Sequence, residues 1–84
     1  MEEVSSPGCL HCRAFEKFWE SIQGQFPRVE LKKIDVTTPE GQQLAQQHMI
    51  LASPGIIING ELFSTGGVNE KAFITTLKEL SHES

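Results

Sequence analysis

The sequence has no apolar run that approaches the roughly 20 residues needed by a membrane-spanning helix. Residues 1–4 also lack the basic start and the apolar stretch of a secretory signal peptide. Basic residues are outnumbered, since 7 Lys and Arg stand against 11 Asp and Glu and give a formal net charge of −4. This charge argues against a nucleic-acid partner, because phosphates favour basic surfaces. We therefore expect a cytoplasmic protein that binds neither a membrane nor a nucleic acid.

Cysteine is scarce, since Cys9 and Cys12 are the only two, and they directly follow a chain breaker at residues 6–8. A disulfide between them would close a very short loop and remove little chain entropy, so it would stabilise the fold only slightly. No second Cys-x-x-Cys motif or histidine pair completes the four ligands of a zinc site. We therefore expect no metal or cofactor, and we favour redox chemistry over metal ligation or inert thiols.

The spacing of the two cysteines suits redox chemistry. Residues three apart in the first turn of a helix lie one above the other, so their Cα atoms should be about 5–6 Å apart, as in a disulfide. The same turn has unpaired backbone N–H groups and the positive end of the helix dipole, which stabilise a thiolate. Cys9 lies nearest the helix start and solvent, and we expect it to be the more reactive thiol.

The first half of the chain predicts a helix, a strand and a second helix. Apolar residues at helical spacing predict a first helix that Gly24 and Pro27 end: Phe15, Phe18, Trp19, Ile22 and Phe26. Residues 29–36 alternate partly and predict a strand. Pro39 suits the first position of a second helix that extends to His48, with Thr37 or Thr38 as its cap.

The second half predicts a hairpin and a final helix. The β-branched residues 56–58 are typical of a buried strand, and Asn59-Gly60 predicts a hairpin with residues 61–64 as the returning strand. Gly66-Gly67 predicts a turn, after which Asn69 can cap a helix. The buried side of that helix is expected to include Ala72, Phe73, Leu77 and Leu80. At 84 residues the chain has the length of a single domain, which we expect to span residues 1–84.

This element order resembles that of the thioredoxin/glutaredoxin superfamily. The matching motifs are the Cys-x-x-Cys segment of residues 5–12, at the start of the first helix, and the Ser-Pro step and hairpin of residues 53–60. The resemblance covers nearly the whole chain. It implies an α/β fold of the thioredoxin type, with a mixed four-stranded sheet, three flanking helices and an unusually short first strand.

The resemblance also implies an activity and roles for individual residues. The protein would be a thiol–disulfide oxidoreductase, with Cys9 as the nucleophile and Cys12 as the resolving thiol. Pro54 would match the cis-proline of the family, and Ser53 before it would present its backbone to the substrate. Thioredoxins carry a buried acidic residue on an early strand, and we identify no counterpart of it in this sequence.

Other residues near the motif have implied roles in binding. His11 lies between the cysteines, where a charged imidazole would favour the thiolate and tune its pKa, and the alternative is a solvated histidine. Leu10 is expected to be exposed and would form part of an apolar rim for extended substrates, and the alternative is an ordinary exposed leucine without a role. Gly66-Gly67 resembles the glycine pair with which glutaredoxins hold glutathione.

We expect a monomer that acts on disulfide-containing proteins. A thiol protein or a flavin reductase would be its electron donor, and glutathione is a further candidate partner. Two alternatives remain open. One is a metal or iron–sulfur carrier of the glutaredoxin type, and the other is a non-enzymatic module that binds peptides in the groove beside Pro54.

Overall fold

A computed structural model describes the backbone of residues 1–83 and the side chains of residues 1–80. These residues form four strands and three α-helices in the predicted order, with a 3-10 turn at Gln23–Gln25. The strands are β1 (Glu2–Ser5), β2 (Lys32–Asp35), β3 (Gly55–Ile58) and β4 (Glu61–Thr65). The helices are α1 (Leu10–Ile22), α2 (Pro39–Gln47) and α3 (Glu70–Glu83). Within the described residues, no helix is long and apolar enough to cross a membrane.

The strands form one sheet in the order β2-β1-β3-β4. β1 runs parallel to β2 and antiparallel to β3, and β3 and β4 form an antiparallel hairpin. The parallel pair needs a crossover connection, which α1 provides. This mixed four-stranded sheet with three helices confirms the predicted fold class. The first strand has four residues, as the prediction of a short strand requires.

An aromatic cluster holds α1 and α3 together on one face of the sheet. Phe73, on α3, is fully buried and lies at the centre of this cluster. Four other rings pack against it edge-on with centroid distances of 5.4 to 6.1 Å: Phe15, Phe18, Trp19 and Phe63. Such pairs add about 0.5–1.5 kcal/mol each to the free energy of area burial. The packing fixes the orientation of α1, and so the position of its first turn.

The second strand is shorter than predicted, because β1 offers only four partners. The ladder begins at the pair of Glu2 with Lys32 and ends at the pair of Ser5 with Asp35. Val29 lies before the strand and packs half-buried against the core instead. The length of β2 is therefore set by its neighbour in the sheet.

Two adjacent threonines before α2 have different roles: Thr38 caps the helix, and Thr37 binds the carboxylate of Asp35. The Thr38 hydroxyl accepts a hydrogen bond from the Gly41 N–H at 3.1 Å, so Thr38 is the cap. The Thr37 N–H and hydroxyl donate to the Asp35 carboxylate at 2.8 and 2.7 Å, which lowers the pKa of Asp35. The helix ends at Gln47, one residue before the predicted His48.

The hairpin and the last helix follow the prediction with one correction. Asn59 and Gly60 have φ values of 52° and 79°, the left-handed pair that a type I′ turn requires. Asn69 caps α3 by accepting a hydrogen bond from the Ala72 N–H at 2.9 Å. The Ala72 side chain was expected to be buried but is exposed. The buried face of α3 is formed by Phe73 and Leu77, and Ala72 lies beside that face.

Candidate active site

Three segments meet beside the first turn of α1: the loop after β1, the loop before β3 and the turn after β4. The Oγ atoms of Ser6 and Ser53 are 2.7 Å apart, which joins the first two segments. The Gly66 N–H donates to the Pro54 carbonyl at 3.1 Å, which joins the third. A Cβ built at Gly67 would lie 3.8 Å from the ring of His11. The predicted site residues on these segments therefore lie together.

Cys9 is the N-cap of α1. Gly8 before it has a φ of +70°, a left-handed conformation that suits glycine and turns the chain into the helix. The Cys9 sulfur accepts a hydrogen bond from the Cys12 N–H at 3.0 Å, as a capping oxygen usually does. The first turn contains no acidic residue. Negative charge on this sulfur would therefore meet a backbone donor and the positive end of the helix dipole.

The two cysteines form a disulfide, with their Cα atoms 5.2 Å apart, as the spacing predicted. Their exposure differs. Cys9 is half-buried, whereas Cys12 is 3% exposed on the inward face of α1. A partner from solution can therefore reach the sulfur of Cys9 but not that of Cys12.

The side chain of Ser53 contacts the Cys9 sulfur. Its hydroxyl donates to the Cys9 sulfur at 3.3 Å, and the Ser6 hydroxyl lies on its other side. The Ser53-Pro54 peptide bond is cis, and Pro54 is fully buried. The resemblance implied a role only for the backbone of Ser53. The hydroxyl contact could not be found from sequence, because the two residues are 44 positions apart.

Exposed apolar side chains flank these segments. Leu10, beside the reactive cysteine, is 77% exposed, as expected. Leu51, two residues before Ser53, is 94% exposed, and Met49 is 76% exposed. Leu51 and Met49 were not predicted as site residues, although the apolar run directly before the Ser-Pro step could have identified them. Among the side chains of residues 1–80, no three of His, Cys, Asp and Glu are grouped so as to hold a metal ion.

Residues 3–79 match the family model described as the thioredoxin domain. The chain belongs to the thioredoxin family. It is also similar to a thioredoxin of Methanocaldococcus jannaschii, with 32% identity over 80 residues that cover 94% of this chain and 92% of that protein. Family membership and the cysteine pair together show a thiol redox function of the thioredoxin type.

A buried acidic residue is present on the first strand of this thioredoxin-family chain, so the expectation that it has none was wrong. Glu3, on β1, is 0% exposed, and none of the described N–H or hydroxyl groups donates to its carboxyl oxygens, whose hydrogen-bonding neighbour is the Glu16 carboxyl. Sequence reasoning missed it because an acidic residue near a chain start usually lies at the surface. Its central place in the sheet depends on pairing with β2 and β3, which are distant in sequence.

The surroundings of Glu3 place it beneath α1. In the sheet it is paired with Lys33 on one side and Ile56 on the other, and paired residues point to the same face. Ile56 belongs to the core cluster that packs against α1, so Glu3 faces α1 too. Burial and, after it, the neighbouring Glu16 carboxyl raise the pKa of Glu3 to about 8, although the charge of Lys33 opposes them.

Proposed function

We propose that this protein is a thiol–disulfide oxidoreductase that exchanges the Cys9–Cys12 dithiol with disulfides of partner proteins. The observation that carries the proposal is the unequal placement of the two sulfurs. One is accessible at the start of α1, and the other is buried within bonding distance. This arrangement suits one thiol for attack from solution and the other for release of the product.

The proposed reduction of a partner proceeds in two exchanges. The Cys9 thiolate attacks one sulfur of the partner disulfide, forms a mixed disulfide and expels the other partner sulfur as a thiolate. The Cys12 thiol then loses its proton and attacks Cys9. The mixed disulfide breaks, the partner leaves as a second thiolate, and the Cys9–Cys12 bond forms. Two electrons pass from the dithiol to the partner, and the reverse sequence oxidises a partner dithiol.

Three groups would stabilise the Cys9 thiolate. The first is the Cys12 N–H, which already donates to this sulfur. The second is the Ser53 hydroxyl, which the Ser6 hydroxyl can hold in place. The third is the helix start itself, with its aligned backbone dipoles. His11, exposed on the same turn, would add positive charge when protonated.

Glu3 would handle the proton of Cys12. Glu16 lies four residues after Cys12 on α1, hence on the same face, and Glu3 lies beneath that face. In the disulfide form the raised pKa keeps Glu3 protonated at neutral pH. When a reductant opens the disulfide, the Cys12 sulfur keeps the bonding electron pair and takes the proton of Glu3. In the opposite direction the Glu3 carboxylate accepts that proton as Cys12 attacks.

Substrate binding would use the surface around the disulfide. The Ser53 backbone next to buried Pro54 offers peptide groups to an extended substrate, and exposed Leu10 offers apolar area. Gly67 lies beside the ring of His11, and glutathione is a candidate partner for this glycine pair. Three further points stay predictions from the sequence. They are the electron donor (a thiol protein or a flavin reductase), the cytoplasmic location and the monomeric state.

The roles of the two cysteines can be tested with a matched pair of variants, Cys9→Ser and Cys12→Ser. The probes are a labelled disulfide-bonded peptide and oxidised glutathione. We expect Cys9→Ser to be inactive and Cys12→Ser to accumulate a mixed disulfide that mass spectrometry detects. Full dithiol activity in Cys12→Ser would contradict the assignment of roles.

A redox titration of the unmodified protein tests the function as a whole. Titration in glutathione buffers should open and close the Cys9–Cys12 bond reversibly. A pair that never exchanges, together with zinc or visible colour that survives dialysis, would favour a metal carrier. Saturable binding of the peptide without reduction would favour a binding module.

A further inference from the structure

The acidic residue beneath α1 is connected to a second carboxyl group and to a surface cavity. Glu16, on α1, is partly buried, and its two oxygens have different surroundings. Its Oε1 accepts a hydrogen bond from the Lys33 ammonium at 3.0 Å. Its Oε2 is buried, and none of the described N–H or hydroxyl groups donates to it. Glu16 therefore has one oxygen in an ion pair near solvent and one oxygen in the interior.

The cavity lies between α1 and the segment that leads into β2. It has a volume of about 620 Å³ and is open to solvent. Its lining includes Glu16 and Lys33, and also the charged residues Glu20 and Glu30. Glu3 is not part of the lining and has no exposed surface. Among the described residues, Glu16 is the one carboxyl that both lines this cavity and acts on Glu3, so it is suited to pass a proton between Glu3 and water on this side.

The charged and titratable groups around Glu3 are few. From α1 there is Glu16, and from β2 there is Lys33, whose pKa is raised by Glu16. Cys12 lies one turn before Glu16 on the same buried face of α1. Asp35 acts on Lys33 from the same strand. β3 contributes Ile56 at the paired position, which cannot titrate. Two carboxyl groups beside a single ammonium group favour a state in which one carboxyl is ionised and the other keeps its proton.

We propose that Glu16, held by Lys33, is a positioning residue that sets when Glu3 gains or loses its proton and links Glu3 to the solvent cavity. At neutral pH the Glu16 carboxylate pairs with Lys33, and Glu3 keeps the proton. Loss of that proton places two negative charges side by side under α1. The proton moves to the inner oxygen of Glu16 while Lys33 holds the outer oxygen, and from there it reaches the cavity.

This inference rests on the proposed function, because the Glu3 proton matters to catalysis only if Cys12 takes part in disulfide exchange. The two can nevertheless fail separately. Titration of the Glu3 carboxyl in the disulfide form tests Glu16 without any turnover. Exchange with a small dithiol tests the function without reference to Glu16.

The experiment compares Glu16→Gln with the matched control Glu20→Gln, one turn further along α1 and exposed. Carbon-13 NMR of the side-chain carboxyl follows the titration of Glu3 in each protein. In Glu16→Gln the neighbouring negative charge is gone, so the Glu3 midpoint should fall by about one pH unit, a roughly tenfold lower proton affinity. In Glu20→Gln the midpoint should match that of the unmodified protein.

The pH dependence of disulfide reduction by dithiothreitol is the second readout. Part of the change of the reduction rate with pH should follow the titration of Glu3. In Glu16→Gln this part should shift by the same number of pH units as the NMR midpoint, and in Glu20→Gln it should not shift. Lys33→Arg keeps the ion pair and should retain the original midpoint. An unchanged Glu3 midpoint in Glu16→Gln would overturn the inference, as would equal shifts in both glutamine variants. Absence of reduction in the unmodified protein would instead refute the proposed function.

Discussion

Replacing Glu3 with glutamine should remove a large pH dependence of folding stability. The folded protein raises the pKa of Glu3 from an ordinary value of 4.5 to about 8, chiefly through burial. A group whose pKa is raised by folding favours the folded state in its protonated form. Its contribution to stability is therefore fully present below pH 4.5 and is lost as the pH rises through about 8. The glutamine side chain of the variant would have nearly the same shape and would be neutral at every pH.

The size of the effect follows from the shift. One pKa unit corresponds to about 1.4 kcal/mol. Between about pH 5 and about pH 8.5, the contribution of Glu3 to the free energy of unfolding should fall by about 4 kcal/mol. That is a large share of the roughly 5–15 kcal/mol that stabilises a typical domain. The buried amide of the variant has its own cost, but this cost does not change with pH.

Urea unfolding of the disulfide form at both pH values measures the effect. The free energy of unfolding of Glu3→Gln should gain about 4 kcal/mol relative to the unmodified protein between the lower and the higher pH. Glu2→Gln, the neighbour on the same strand, is the control and should keep the original dependence. If the curves of Glu3→Gln and the unmodified protein run parallel, then Glu3 is ionised in the folded state and the reasoning about its burial is wrong.

Two further variants, each with a control, test the packing of α2 against the end of β2 and the surroundings of Cys9. Gly41→Ala should destabilise the fold by about 1–3 kcal/mol, because a Cβ there would collide with the backbone at the end of β2. Gly24→Ala is the control and should not destabilise the fold, because a Cβ there would meet nothing within 4 Å. The thermal unfolding midpoints of the two variants measure the difference. Ser53→Ala should raise the Cys9 pKa, because the thiolate loses a donor; alkylation rates against pH measure it. Ser21→Ala, which removes an exposed helix hydroxyl elsewhere on α1, should leave that pKa unchanged.

Much of the fold could be predicted because its determinants are local. Asn59-Gly60 specifies a tight hairpin through its own backbone preferences, and the chain makes that turn. The caps Asn69 and Thr38 lie within three residues of the N–H groups that they bind. The aromatic spacing along α1 identified the residues that pack against Phe73.

The features that were missed depend on partners distant in sequence. β2 is shorter than its alternating pattern suggests, because the four residues of β1 limit the ladder. The burial of Glu3 follows from two strand pairings and the helix above them, and none of these is visible in residues 1–5. Likewise, the hydroxyl contact of Ser53 with Cys9 exists only because the loop before β3 folds back onto α1. The single-domain assignment stays a prediction.

The inward position of the Cys12 sulfur has a kinetic consequence under the proposed chemistry. Once a partner is joined to Cys9, an outside disulfide cannot reach the inner sulfur of Cys12 and oxidise it. The inner thiol is therefore reserved for the neighbouring Cys9, and its attack is a unimolecular step with a rate that does not depend on the concentration of the partner.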